Sequence, residues 1–520
     1  MSRAGTRRGL VRALRVEWRA SVSLVGTVVK WLAVALLFPF AIALADGRGV
    51  AAIGGTIFVA VGLGYALERL DPDPDLGVRE GFLMVALTWG AVSVVGALPY
   101  VIAGQGTVAL PVNALFESMS GFTTTGATVM GDISLVAHAP AVMMWRQETQ
   151  WLGGMGIVVL AVAILPELSV GGAQLMDAEA PGPGIQKLTP RIAETARALW
   201  KAYIGITALE VVALYALHLG GLAPNMGLYN AVAHGFSTMA TGGFSPEARS
   251  IEAFSAAVQW LVVPFMVAAG TNFALFWHVM NGNPERLWRD AEFRFYLGVL
   301  GVLAALASLL LFTDPSILVH PDVGPIAGNL ESSLRHGVFQ VVSIVTTTGY
   351  ASMDFNDWNS AAQFLLLLGM FIGGSAGSTG GAVKIVRWYV IGKSLRRELF
   401  VTVHPEAVRP VRLGGRTIDE SAIRGIYAFT LLYLVCFLLG AAFLLVDASL
   451  FGRGISTFEA MSAVAATLGN VGPGFGVVGP MGSYDGFSVA SKLVMVVLMW
   501  IGRLEILPVL VLLTGAYWRS

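Results

Sequence analysis

Apolar residues run along this chain in long blocks rather than in alternation. Ten stretches, near 22–44, 50–68, 81–103, 139–166, 199–220, 256–281, 294–313, 361–392, 424–446 and 490–515, are each long enough to cross a bilayer, for which about 20 apolar helical residues suffice. Shorter apolar stretches lie near 112–125, 228–242, 333–348 and 456–470, one inside each of the last four pairs. They are too short to cross, so each predicts a helix that enters the membrane and turns back. Each ends in small residues that turn on a glycine: Thr123-Thr124-Thr125-Gly126, Ala240-Thr241-Gly242-Gly243, Thr346-Thr347-Thr348-Gly349 and Gly469-Asn470-Val471-Gly472. The predicted unit is helix, re-entrant hairpin, helix, repeated four times.

The expected fold is an all-α polytopic membrane protein. Four helix–pore loop–helix repeats surround a central pore, and an N-terminal two-helix accessory domain precedes them. The basic N-terminus and accessory pair take 1–78, and the repeats take 79–196, 197–293, 294–415 and 416–520. Asp71-Pro72-Asp73-Pro74-Asp75 reads as a polar connector without helical preference. Internal echoes support the repeats: Phe116-Glu117-Ser118-Met119-Ser120 matches Phe458-Glu459-Ala460-Met461-Ser462, and Asn113-Ala114-Leu115 matches Asn230-Ala231-Val232. The second echo sets Gly243 opposite Gly126. The fourth register stays open between Gly469 and Gly472.

Composition agrees with the pattern. The chain is 55% hydrophobic and 13% charged, against about 25% charged for an ordinary soluble domain, and its mean hydropathy is +0.71. Net charge is zero, but its distribution is uneven. Arg3, Arg7, Arg8, Arg12, Arg15 and Arg19 meet a single acid, Glu17, at the start. Excess positive charge marks the cytoplasmic side. Lys384, Arg387, Lys393, Arg396, Arg397, Arg409, Arg412 and Arg416 lie an even number of spans later, so both termini are expected inside. The first apolar run is too long for a signal peptide and lacks a cleavage pattern. Cys436 is the sole cysteine, which leaves no disulfide and no cysteine metal site.

Non-helical backbone at membrane depth is tolerated only inside protein or along a watery cavity. Rings of backbone carbonyls there can replace the hydration shell of a cation, and glycine reaches the conformations this needs. A single Gly-Thr cluster also fits tight helix packing; four in the same relative place read as an ion pore. Two further features fall in the spans. Gly373, Gly374, Gly377, Gly380 and Gly381 crowd one stretch, and glycine costs up to about 1 kcal/mol each inside a helix, so a break is expected there. Arg503 falls mid-span, where an arginine usually faces a cavity or a partner.

Several segments resemble the Trk/Ktr/HKT superfamily of potassium transporters, on its TrkH branch. They are Gln150-Trp151-Leu152-Gly153-Gly154-Met155-Gly156, Lys187-Leu188-Thr189-Pro190-Arg191-Ile192-Ala193-Glu194-Thr195-Ala196, the four glycine clusters, Gly373–Gly381 and Gly502-Arg503-Leu504-Glu505-Ile506. The resemblance covers nearly the whole chain. It implies a potassium filter with one glycine per repeat: Thr124, Thr125 and Gly126; Thr241, Gly242 and Gly243; Thr347, Thr348 and Gly349; Asn470, Val471 and Gly472. Gly472 fits the fourth filter better than Gly469 does. Serine at the first filter position marks sodium-selective plant relatives, and this chain carries Gly126. The resemblance also implies an intramembrane gate at Gly373, Gly374, Ser375, Ala376, Gly377, Ser378, Thr379, Gly380 and Gly381, with Lys384 just beneath and Arg503 facing the pore below the filter. K+ is the implied cargo, with no organic cofactor on this chain. The implied partners are a second copy in a homodimer, a cytoplasmic TrkA-like ring that binds NAD(H) or ATP/ADP, and the lipid of a bacterial inner membrane, but no nucleic acid.

A proton- or sodium-coupled symporter is the competing expectation, with Glu148 and Glu210 as the titratable groups in spans. A membrane enzyme would need clustered His, Asp or Glu at one face, which the sequence lacks, and no Walker-type loop occurs. Asp132, Glu247, Asp354 and Asp485 follow the four glycines and are expected either to draw cations to the mouth or to be ordinary loop charges. His138, His234 and His336 read as interfacial or packing residues. The loop Pro181–Pro190, with Asp177 and Glu179 before it, is a further expected docking surface.

Overall fold

The computed structural model describes residues 16–72, 78–163, 192–314 and 326–519. The arginines at 3, 7, 8, 12 and 15, the connector residues 73–75, Asp177, Glu179, the Pro181–Pro190 loop and residues 187–191 of the Lys187–Ala196 motif lie outside them. Among the described residues the regular structure is helical apart from one hairpin, Arg412–Leu413 against Arg416–Thr417 with Arg412 opposite Thr417, and an isolated bridge between Ile372 and Val383.

Six helices are long and apolar enough to span a bilayer: Trp18–Asp46, Val50–Glu68, Arg79–Ala103, Ala196–Leu219, Ala291–Thr313 and Glu420–Leu450. A seventh span is a pair, Ala256–Ala269 and Phe273–Met280, bent by 100°. The stretch expected at 139–166 forms Pro140–Ala163. Its buried Arg146, Gln147, Glu148, Thr149 and Gln150 lower its apolar character.

Two expected spans are broken. The 361–392 stretch divides into Ser360–Gly369, a loop, and Ile385–Val403, as the glycine run predicts. The 490–515 stretch divides into Val489–Arg503 and Leu507–Leu512. At this second break Glu505 and Ile506 hold φ of 60° and 57°, conformations rarely taken by side-chain-bearing residues. The span expected at 256–281 is present as the bent pair. Its bend is stabilised where Asn272 accepts from Ala274 N at 2.9 Å and Gly270 O accepts from Ser375 N at 2.8 Å, so the freed backbone groups find partners.

Small residues let helices meet closely where lipid supplies no driving force between them. In the accessory pair, a Cβ on Gly26 would stand 2.7 Å from Gly64 O, and one on Gly64 2.7 Å from Gly26 O. Lys30 and Glu68 close the contact at 2.6 Å. Outward positions such as Phe58 (81% exposed), Leu438 and Leu439 carry apolar side chains, which suits a surface facing hydrocarbon. Four short helices, Pro111–Phe122, Leu228–Met239, Leu330–Val345 and Thr457–Leu468, sit inside this shell and aim their C-termini at one another.

Candidate ion pathway

All four short helices end in the same way. Thr124, Thr241, Thr347 and Asn470 take left-handed φ of 52°, 52°, 60° and 54°. The next residue closes a six-residue turn: Thr125 N donates to Ser120 O (2.8 Å), Gly242 N to Ser237 O (2.9 Å), Thr348 N to Ser343 O (2.8 Å) and Val471 N to Ala466 O (2.8 Å). This is a Schellman ending, which normally places glycine at the left-handed position. Three of the four positions here hold threonine, so the strain is repeated. Two residues on, Gly126, Gly243, Gly349 and Gly472 again have positive φ, of 82°, 76°, 79° and 103°.

These glycines close a ring. A Cβ on Gly126 would lie 2.1 Å from Gly242 O, one on Gly243 2.0 Å from Thr348 O, one on Gly349 2.1 Å from Val471 O, and one on Gly472 2.6 Å from Thr125 O. Each repeat therefore abuts the next, and the fourth returns to the first. The same geometry settles the register: Gly472 occupies the position of the other three, while Gly469 ends a helix at φ −78°. It also corrects an echo. Glu117 stands nine residues before Gly126 and Glu459 thirteen before Gly472, so the Phe-Glu-x-Met-Ser match is displaced by about one helical turn.

Side chains behind the ring differ in every repeat. Glu117 accepts from Val129 N at 2.8 Å and pairs with Arg146 at 2.6 Å, both fully buried. Arg146 in turn donates to Ser245 O at 3.1 Å, and its guanidinium lies 3.5 Å from the centre of the Phe244 ring. His234 bonds Ser245 Oγ at 3.0 Å, and Gln340 donates to Tyr350 O at 3.0 Å. Gln150 reaches across from the first repeat, donating to Gly242 O at 2.6 Å and accepting from Phe244 N at 3.1 Å. It thus clamps the backbone on both sides of Gly243. Sequence reading gave Gln150 no role, although five consecutive polar residues in an apolar span were a signal.

The Gly373–Gly381 loop lies directly against the helix ends. Gly381 N donates to Thr347 Oγ1 at 2.7 Å, and the single hydroxyl proton of Thr379 is shared between Met239 O at 3.2 Å and Ala269 O at 3.1 Å. A Cβ on Gly381 would stand 2.4 Å from Gly469 O. The loop folds on itself through Gly373 N to Val383 O (2.9 Å) and Ser378 Oγ to Ser375 O (2.6 Å). At its turn, Gly377 has φ 74° and Ala376 N donates to Glu292 Oε1 at 2.8 Å. Gly374 and Gly380 fill the centre, each within 3.1 Å of neighbouring backbone if given a Cβ. Arg503 is 2% exposed and donates to Thr379 O at 2.6 Å and Gly153 O at 3.5 Å. Lys384, which caps the start of Ile385–Val403 just after the loop, donates to Gly380 O. Glu505 pairs with Arg387, whose guanidinium lies 3.9 Å from the centre of the Phe429 ring. Glu505 is thus engaged by Arg387 and forms no ion pair with Arg503.

Opposite the loop, an open recess is lined by Gly126, Gly243, Gly349 and Gly472 together with Arg146, Glu247 and Tyr484. The acids after the glycines do not converge on it. Glu247 lines the recess, but Asp485 pairs with Lys492 at 3.0 Å and Asp354 caps its own turn through Asn356 N at 2.9 Å. Within the spans, Glu148 Oε2 and both oxygens of Glu210 are buried without a hydrogen bond. The Thr238 hydroxyl beside Glu210 donates to His234 O at 2.8 Å. Among the described residues no cluster of three or more His, Cys, Asp or Glu could hold a metal ion.

The family model described as TrkH, cation transport protein, matches residues 48–520. The chain belongs to the TrkH family of cation transport proteins. It is 37% identical over 512 residues to the Trk system potassium uptake protein TrkH of Salmonella typhimurium, covering 97% of this chain and all of that one. The Halomonas elongata TrkH is 39% identical over 95% of this chain and 96% of its own length. The crystal structure of the potassium transporter TrkH from Vibrio parahaemolyticus superposes with a TM-score of 0.84 at 35% identity, covering 97% of this chain and all of that one. As a TrkH-family member the chain is a multi-pass membrane transport protein and not an enzyme.

Proposed function

We propose that this chain is a potassium-selective permeation pathway for potassium uptake across a bacterial inner membrane, with both termini cytoplasmic. The observation that carries this is the closed ring, in which each of Gly126, Gly243, Gly349 and Gly472 abuts a backbone carbonyl of the next repeat. Rigid, inward-directed backbone carbonyls replace water around an unhydrated cation without presenting a titratable group. In this reading the filter comprises Thr124–Gly126, Thr241–Gly243, Thr347–Gly349 and Asn470–Gly472, and the repeats divide at 79–196, 197–293, 294–415 and 416–520. The names of the relatives support potassium as the cargo.

The Gly373–Gly381 loop serves as the gate. It bonds Thr347 of the ring and closes the side opposite the recess, so an ion leaving the ring meets it first. Arg503, bonded to Thr379 O, puts a positive charge there that keeps cations from lingering. A cytoplasmic nucleotide-binding ring of the TrkA kind docks on the basic face of Ile385–Val403 and the Arg412–Thr417 hairpin. Val411, Leu413 and Ile418 of that region share an apolar cluster with Val386, Val390 and, at its edge, Ala376 of the loop, a route by which docking reaches the gate. Two copies form the working homodimer, each with its own pore.

The test is the reversal potential of purified protein in liposomes under a potassium/sodium gradient, with and without a proton gradient. A value near the potassium equilibrium potential and indifferent to protons is expected. The buried carboxylates of Glu148 and Glu210 favour a second reading, a proton-coupled symporter. A reversal potential that follows the proton gradient, and loses that dependence in Glu210→Gln, would replace the first reading with the second.

A further inference from the structure

The four ring glycines are not equivalent. Gly126, Gly243 and Gly349 share φ of 82°, 76° and 79°, whereas Gly472 stands at 103°. The seam between the fourth and first repeats is also wider: a Cβ on Gly472 would be 2.6 Å from the facing carbonyl, against 2.0–2.1 Å at the other three. One side chain accompanies both departures. Tyr484 Oη donates to Gly472 O at 2.8 Å, while among the described residues no hydrogen bond reaches the carbonyls of Gly126, Gly243 or Gly349.

Tyr484 is well fixed for this. It is 2% exposed, its N–H donates to Thr128 O of the first repeat at 2.8 Å, and its ring packs 5.5 Å from Phe116 and 6.0 Å from Phe487. The phenol therefore hangs from the first repeat and holds a carbonyl of the fourth.

We infer that Tyr484 is a specificity-determining residue that withdraws the Gly472 carbonyl from equal service in the ring, leaving three strong carbonyls and one weakened one. The inference rests on the filter reading above. Discrimination between potassium and sodium depends on how many carbonyl dipoles meet the ion and how strong each is. An oxygen already accepting a phenol proton offers less charge and a different direction to an ion. Fewer effective oxygens favour the smaller ion, so Tyr484 lowers the preference for potassium.

Tyr484→Phe removes the hydroxyl and keeps the ring and its packing. Bi-ionic reversal potentials in liposomes should show the potassium-to-sodium permeability ratio rising about two- to tenfold, the range set by the net worth of one hydrogen bond. 3-Fluorotyrosine at position 484, a stronger donor of nearly the same shape, should lower the ratio, an opposite shift that lost packing would not produce. Gly126→Ser, measured in parallel, separates the two readings. If Gly126→Ser lowers the ratio and both changes at 484 leave it unmoved, the Tyr484 inference is wrong and the filter stands. If Gly126→Ser also has no effect, the filter reading falls and takes the inference with it.

Discussion

The ring and the layer against it are built on opposite plans. The ring is near-fourfold and made of backbone: four left-handed residues, four six-residue turns and four glycines with positive φ. The adjoining layer has no symmetry and depends on side chains. One loop from the third repeat fills it, Arg503 of the fourth fastens it through Thr379 O, and Glu292 holds its turn. Repetition suits a task that needs several equal oxygens around one ion. A single asymmetric obstruction suits a task that must switch, because one contact can be broken without disturbing the other three repeats.

The comparison predicts that changes to the ring alter which ion passes, and changes to the layer alter how fast. The largest effect is expected from Gly243→Ala, where the new Cβ meets Thr348 O at 2.0 Å. Backbone strain of about 1–3 kcal/mol at the ring should cut the potassium-to-sodium permeability ratio by roughly tenfold to a hundredfold. Gly349→Ala should behave similarly. Gly472→Ala, at 2.6 Å, should cost least of the four, and equal losses at all four would show that the fourth seam is not looser.

Gln150→Leu comes next. It strands Gly242 O and Phe244 N, each worth roughly 1–3 kcal/mol when buried and unpaired. Thermal stability in detergent should drop, and the potassium-to-sodium ratio should fall with it. A stable variant with an unchanged ratio would remove Gln150 from the account.

Glu292→Ala tests the layer. Freeing Ala376 N loosens the loop, and rubidium flux should rise about two- to fivefold, within the worth of one charge-assisted hydrogen bond, at an unchanged ion ratio. A changed ratio would blur the division between ring and layer. The smallest effect belongs to Asp485→Asn. Lys492 already offsets that charge, and asparagine keeps an oxygen for Lys492 and Asn113 Nδ2, so uptake should change by less than about twofold.

Much of the ring was legible because apolar length and glycine clusters are strong signals. The stretch expected near 228–242 becomes Leu228–Met239, and that near 456–470 becomes Thr457–Leu468, each followed by its left-handed residue. The internal echoes left the fourth register open, and only the family resemblance favoured Gly472. Gly469 and Gly472 are both glycines, and in the backbone the left-handed Asn470 between them and the positive φ of Gly472 tell them apart. The Phe-Glu-x-Met-Ser echo pointed a helical turn away, because similar residues on a helix recur at that spacing without being equivalent. The break at Glu505 and Ile506 left no trace either, since neither residue favours positive φ. Tertiary contact holds it, through Glu505 and Arg387. Gln150 acts across repeats on another segment's backbone, and Tyr484, though in the same repeat as Gly472, is held in place by Thr128 of the first; spacing within one repeat encodes neither relation.

Anomalous diffraction from crystals grown in rubidium tests the central claim most directly. A rubidium peak on the axis of the ring, within contact of backbone oxygens from residues 124–126, 241–243, 347–349 and 470–472, is the predicted result. A ring without rubidium, or rubidium held instead by Glu148 or Glu210, would contradict it.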